Sequence, residues 1–586
     1  MASSGRLLVA AIDFGTTYSG YAFSFRHEFE TDPLKVSAST WTAGSRALVS
    51  LKTPTTVLLD KDKNFHSFGY EAEDYYSQLA EDDDHGDWYY FRRFKMMLYG
   101  KEGKGGLTRN IPLKDIRDKE LPALKVFSEA IKYLKGHLLK ALEKRATDVK
   151  DTDIEWVLTV PAIWNDPAKQ FMREAAEVAG IKSDQLTIAL EPEAASLYCK
   201  HLPVEKMGGS EQGFTCFSKG SKYLVLDAGG GTVDITVHEV QSDGSLKELD
   251  KASGGSWGGT KVDESFRQML VKIVGNDVMQ EFCKESTSDF VDMFREFETK
   301  KRTVDQTTKN KVTMKIPIAL KELFEEMTKE DLNETIEQTN FSGKLVWSGD
   351  KLRIQPETFR QLFSAAIDST IEHVLNLLAQ KSCECTTTII MVGGFSESPL
   401  MQARVKEGFP KMRVIIPPDA GLAVLKGAVI FGHSPRAIKA RRAKLTYGIG
   451  SNTTFDPKIH PESRKFYNDE DKTYYCRNTF SKHVTKGDLL EIDVAQSDQP
   501  YSPMSASQTS IVFPFFVSTD ANPKFVDEKN CEKIGKMSVD IPKGGDGRNR
   551  SVRVRLIFGG TEIKVEATEE RTKKVTEAKL NYLDDN

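Results

Sequence analysis

Two short stretches of this sequence bring a carboxylate, glycine and hydroxyl groups together at a spacing that suits phosphate chemistry. Asp13-Phe-Gly-Thr-Thr17 follows the apolar run Leu7–Ile12, and Asp227-Ala-Gly-Gly-Gly-Thr232 follows Tyr223-Leu-Val-Leu226. Glycine lets the backbone bend closely around an anion, and successive N–H groups in such a turn form an anion-binding concavity. Two tips facing each other can hold a triphosphate from both sides. Asp13 and Asp227 can then share a Mg²⁺ through water, because Mg²⁺ keeps several waters of its own shell. Either tip alone reads as an ordinary hairpin turn; two copies with matching flanks point to an internal duplication into two facing halves. No Ser-His-Asp set and no zinc-ligand spacing appears, and the ten histidines are scattered, as structural or surface residues are.

The elements that must position the tips alternate. Tyr18–Phe25 and Val233–Val240 read as the returning strands of the two hairpins. Between them, helical spacing covers 121–145, Ile154–Val160 is a strand stopped by Pro161, and Asn165 or Asp166 caps a helix that runs to about Gly180 with Pro167 in its first turn. Ile188–Leu190 reads as a strand and Ala194–Lys200 as a helix. Beyond the second hairpin, helices are expected over 261–274, 294–303, 359–380 and 422–431, with a strand Thr388–Val392 closed by Gly393-Gly394. Alternating strands and helices predict an α/β architecture with buried sheets. Residues 433–444, with Arg436, Lys439, Arg441, Arg442 and Lys444 around Pro435, read as an exposed basic linker. From Leu445 onward, short strands separated by Gly, Pro, Asp and Asn predict an all-β domain. The stretches 81–87, 100–110 and 205–221 are charged or Gly-rich and read as surface insertions.

Length and charge bound the rest. At about 150 residues per domain, 586 residues suggest about four compact units. With 81 basic and 85 acidic side chains, the formal charge is −4, which argues against a chain-wide footprint for nucleic acid. Seven cysteines without a C-x-x-C pair fit a reducing compartment. No secretory leader and no apolar run of about 20 residues is seen, so the expected location is the cytoplasm, the nucleus being also compatible.

Val160-Pro-Ala-Ile-Trp-Asn-Asp166, with Leu190-Glu-Pro-Glu-Ala-Ala195 after it, resembles the seventy-kilodalton heat-shock chaperones. The two tips are similar to that family's phosphate loops, Glu298-Thr-Lys-Lys-Arg-Thr303 to its adenosine-contacting helix, and Val392-Gly-Gly394 to its adenosine loop. Pro418-Asp419 with Lys426-Gly-Ala428 resembles its second hinge segment. Asp-Phe-Gly-Thr-Thr-Tyr-Ser-Gly at 13–20 and Phe-Gly-Gly-Thr-Glu-Ile at 558–563 most resemble the divergent heat-shock 70 kDa protein 12 branch.

The resemblance implies an actin-like ATPase of two lobes around a nucleotide cleft over 1–432, then a β-sandwich-like partner-binding region over 445–586. It implies ATP or ADP with Mg²⁺ as cofactors. Asp13, Gly15, Thr16, Thr17, Tyr18, Gly229, Gly230, Gly231 and Thr232 would hold the phosphates. Glu298, Lys301, Arg302, Gly393, Gly394 and Asp419 would hold the adenosine. Lys95 would reach the γ-phosphate and the attacking water, and Glu191 would orient that water beside the metal, with Thr232 and Asp227 completing the catalytic set. Peptide or protein clients, and nucleotide-exchange or other cochaperones, are the implied partners.

Three departures stand out. Glu397 occupies a position where the family usually has an arginine that covers the base, and a carboxylate offers no cation–π stacking. Lys169 stands where arginine is usual. Beyond residue 567 no helical lid of the family's length is expected. Ile511–Val517 reads as a core strand with an edge proline rather than a peptide groove. The expectation is therefore a weakly ATP-hydrolysing, atypical chaperone, with a nucleotide-gated scaffold as the alternative and a small-molecule kinase third.

Overall fold

A computed structural model describes residues 6–43, 48–100, 106–145, 148–203, 217–542, 550–559, 562–580 and 582–583. Most of the expected insertion at 205–221, half of that at 100–110, the glycine-threonine pair 560–561 and residues 584–586 lie outside them.

Two sheets share one plan. In the first, Ser37–Ala38, Tyr18–Phe25, Leu8–Asp13, Ile154–Val160 and Leu186–Leu190 lie side by side; the hairpin pairings are antiparallel and the last two parallel. In the second, Leu246–Gly255, Val233–Val240, Lys222–Ala228, Thr388–Val392 and Arg413–Ile415 repeat that order and those directions. Leu8–Asp13 is buried throughout, which is why it reads as a continuous apolar run rather than an alternating one. Each tip thus projects from the centre of its sheet.

A helix follows each last strand, Glu191–His201 in the first half and Ala423–His433 in the second. They cross on small residues. A Cβ added at Gly427 would collide with the carbonyl of Ala194, so glycine is what lets the two backbones touch. Ala194, Ala195, Ala423 and Ala428 are fully buried in the same inter-half core. Asn165 caps the helix Asp166–Val178 by accepting from Ala168 N at 3.0 Å, with Pro167 in the first turn. The helix expected at 294–303 spans Thr287–Thr303, and the one expected at 359–380 is divided into Pro356–Gln361 and Ser364–Leu378.

The reading of 433–444 as an exposed linker is corrected. Ile438–Arg442 is a strand that pairs with the Leu246–Gly255 strand and with Leu489–Glu491, extending the second sheet. Ile438 and Ala440 are buried, while Arg441 makes a two-pronged ion pair with buried Glu193, its Nε lying 2.6 Å from Oε1. Charge is accommodated by pairing, so a basic stretch here is an internal strand.

Beyond it, among the described residues, two antiparallel sheets enclose one core. One runs Lys465–Asn468, Thr473–Val484, Thr446–Thr454, Ser510–Ser518, Cys531–Asp540; the other Ala495–Tyr501, Val552–Gly559, Glu562–Glu569, Val575–Lys579. Phe513, Phe515 and Val517 point into that core. Their strand lies between two partners rather than at an edge, and Pro514 sits just where pairing with Thr446–Thr454 stops. Among the described residues no helix is long and apolar enough to cross a membrane.

His238 lies in the returning strand of the second hairpin, fully buried beside the Glu193–Arg441 pair, with neither ring nitrogen hydrogen-bonded among the described residues. Burial, despite the Glu193 charge, pulls it from the usual 6.5 down to about 4. A base whose folded value is depressed contributes stability above 6.5 that is lost as pH falls toward 4, here roughly 3 kcal/mol. Thermal unfolding of His238→Leu should therefore fall less steeply with acidification between pH 6.5 and 4 than that of the unaltered chain. Parallel curves would refute the assignment.

Candidate nucleotide site

The duplicated plan brings the two tips into contact. A Cβ on Gly230 would collide with the Thr17 hydroxyl, and one on Gly231 with that of Thr16 and with Met96. The glycines are there because the loops interlock, and a second Gly-rich turn supports them: Gly259 N and Thr260 N donate to Gly229 O and Gly230 O at 3.1 and 2.8 Å. Gly393, at φ +85°, lies so close to Asp227 that a Cβ would strike its carboxylate.

Four carboxyl groups and two ammonium groups gather at this junction. Asp13 accepts from Thr159 at 2.7 Å and from Lys52 at 2.6 Å. Lys95 donates to Glu191 at 2.6 Å and stands over the Trp164 ring at 5.2 Å. Asp234 accepts from Ile163 N at 2.9 Å, anchoring the segment after Pro161. Asp227 has one carboxylate oxygen buried with no hydrogen-bond partner among the described residues. Burial and the neighbouring Glu191, Asp234 and Asp13 charges push Asp227 well above the carboxylate range. Burial, with Asp234 and Asp13, likewise lifts Glu191 to about 7 against the pull of Lys95. Burial alone would raise Asp13, but Lys52 outweighs it and holds that carboxyl low. An unpartnered buried carboxylate in an excess of acidic groups fits a cation.

The residues expected at the adenosine end are held by ion pairs and backbone contacts. Lys301 is buried, paired with Asp263 at 2.7 Å and Glu298 at 2.5 Å. Arg302 pairs with Glu298 at 2.8 Å and covers the Tyr18 ring at 5.5 Å, tying the helix Thr287–Thr303 to the first tip. Asp419 accepts from Lys426 at 2.6 Å. Gly394 is open, and Gly393 N donates to Ala420 O at 2.9 Å. Glu397 accepts from Gly421 N at 3.1 Å and lines an adjoining cavity of about 760 Å³ with Gln402, Lys406 and Arg413. Lys169 pairs with Asp166 at 3.2 Å, and Asp166 also receives Tyr447 from the β region at 3.4 Å.

Sequence reasoning missed Lys52, Thr159, Asp234 and Trp164. Asp234 lies two residues past Thr232, and the repeated loop could have flagged it. Lys52 and Thr159 carry no local signal, since they reach Asp13 only through sheet pairing.

The family model described as Hsp70 protein matches residues 128–439. The chain is 35% identical over 628 residues to heat shock 70 kDa protein 12A of Mus musculus, an alignment covering 98% of this chain and 92% of that protein. It is 33% identical over 637 residues to heat shock 70 kDa protein 12B of Homo sapiens, covering 98% and 91%. To chaperone protein DnaK of Elusimicrobium minutum it is 26% identical over 275 residues, 47% of this chain and 38% of that one. These likenesses and the duplicated sheets place the chain in the Hsp70 family, with that family's actin-like ATPase fold.

Proposed function

We propose that this chain is an atypical Hsp70-type chaperone that binds Mg-ATP between its two tips and hydrolyses it slowly. The observation that carries the reading is the close approach of the two tips, Gly230 and Gly231 lying against the Thr17 and Thr16 hydroxyls. A division into 1–432 and 445–586, joined through the strand Ile438–Arg442, belongs to this proposal, with the last part as the client- or cochaperone-facing region.

Asp13 and Asp227 would face Mg²⁺ through water. When bound, the ion would supply charge neutralisation for the phosphate oxygens. Thr16, Thr17 and the backbone of 229–232 would position the phosphates. Lys95 would place its ammonium on the γ-phosphate side, and Glu191, ionised above about 7, would orient the attacking water. Positioning plus charge supplies most of the catalysis in phosphoryl transfer. Glu298, Lys301, Arg302, Gly393, Gly394 and Asp419 would form the adenosine end.

The test is ATP turnover by the unaltered chain, Glu191→Ala and Thr232→Ala. Turnover in the first and about a hundredfold loss in the others is expected. Equal background rates in all three would sink the hydrolysis claim. A second reading, a nucleotide-gated scaffold with little hydrolysis, is favoured by Glu397, which is held by Gly421 N. Calorimetric nucleotide binding without turnover would select it.

A further inference from the structure

Lys52 is absent from every motif described above, yet it is fixed on the carboxylate of the first tip. Thr53 and Pro54 pair with Ser19 and Tyr18, the first residues of the returning strand, so the backbone around Lys52 is stitched to the hairpin. Gly20 lies directly across from Asp13 in the hairpin register. A Cβ at Gly20 would come within 3.1 Å of Lys52 Cγ, so the missing side chain leaves the track along which the lysine stem runs. At its end Nζ reaches Asp13 Oδ2 at 2.6 Å, while Thr159 occupies Oδ1 at 2.7 Å. Both Asp13 oxygens are thus engaged by the protein, whereas Asp227 keeps an unpartnered one. The two tips are not equivalent: one presents a carboxyl group with an unpartnered oxygen and the other a carboxylate carrying its own cation. An ammonium has three N–H donors, and the contact with Asp13 uses one.

We propose that Lys52 is a built-in cation of the phosphate site, donating to nucleotide phosphate oxygens from its seat on Asp13, so that nucleotide binding tolerates loss of Mg²⁺. This rests on the nucleotide reading above. Mg²⁺, faced through water by Asp13 and Asp227, and the ammonium seated on Asp13 would then share the neutralisation of the phosphates. Removing the metal leaves the Lys52 ammonium in place.

The experiment is calorimetric titration of ADP into the full chain, in excess Mg²⁺ and in excess EDTA, for the unaltered protein, Lys52→Gln and Lys52→Arg. A hydrogen bond to a charged group corresponds to roughly a ten- to hundredfold change in affinity. The unaltered chain should lose less than about tenfold on metal removal, and Lys52→Gln about ten- to a hundredfold more. Lys52→Arg should restore most of the difference. Identical Mg²⁺-to-EDTA ratios for unaltered chain and Lys52→Gln would overturn this inference alone. No ADP binding by the unaltered chain in either medium would overturn the nucleotide reading and this inference with it. Should Lys52→Gln fail to fold, the unaltered chain still decides: a loss beyond about a thousandfold in EDTA would mean that Lys52 contributes no compensating charge.

Discussion

Lys95→Met should lower single-turnover ATP hydrolysis by about a hundred- to a thousandfold, while leaving ADP affinity within a few-fold. The substitution keeps length and packing, and a thioether remains against Trp164 where the ammonium stood at 5.2 Å. What it removes is the charge beside Glu191 at 2.6 Å. Breaking a buried pair from one side strands the other charge, at a cost of about 3–5 kcal/mol if that charge remains. Glu191 can escape by taking a proton, and burial has already lifted it to about 7. An acid whose folded value lies above its unfolded one loses stability as pH rises through the folded value. Lys95→Met should therefore melt lower than the unaltered chain by a margin that grows from pH 6 to pH 8. The double variant Lys95→Met with Glu191→Gln should recover the stability and not the turnover. Turnover within threefold of the unaltered rate in the single variant would remove Lys95 from the catalytic set.

The tips were readable because their signal is local: aspartate, glycine and threonine within six residues, twice, each after an apolar strand. Asn165 as a cap and Pro161 as a strand stop were readable for the same reason, since caps and breakers act over one turn of chain. The remainder of the site depends on sheet order. Thr159 meets Asp13 because Ile154–Val160 lies parallel to Leu8–Asp13, and Lys52 meets it by way of a two-residue strand. Neither pairing leaves a pattern in the residues themselves. The misread linker is a different case. Ile438-Lys-Ala-Arg carries the alternation of a half-buried strand, but five basic residues in nine masked it, and only the presence of Glu193 explains how Arg441 can be internal.

That strand also shows how the site is joined to the β region. Lys444 donates to the backbone carbonyl of Ala162, whose neighbour Ile163 donates to Asp234, and Trp164 in the same turn carries Lys95. Burial, together with the Lys169 charge, draws Lys444 down to about 7. The three residues after Pro161 therefore touch both the tip cluster and the chain entering the β region, so these two parts share one turn.

Gly427→Ala should lower the melting temperature and the ATP turnover together, whereas Gly136→Ala should raise the first and leave the second alone. Both glycines lie inside helices, where alanine is favoured by about 1 kcal/mol. At Gly136 nothing stands within 4 Å of the added carbon, so the propensity gain is realised in full. At Gly427 the added carbon meets the carbonyl of Ala194, which is backbone and cannot turn aside. The helices can only separate, and overpacking of this kind costs about 1–3 kcal/mol or more, exceeding the propensity gain. Separation moves the helix Glu191–His201, whose first residue is Glu191, away from its place beside Lys95. Loss of stability with unchanged ATP turnover would show that the crossing supports the fold but not the site. Melting at or above the unaltered temperature would show that the two halves are not packed at this glycine.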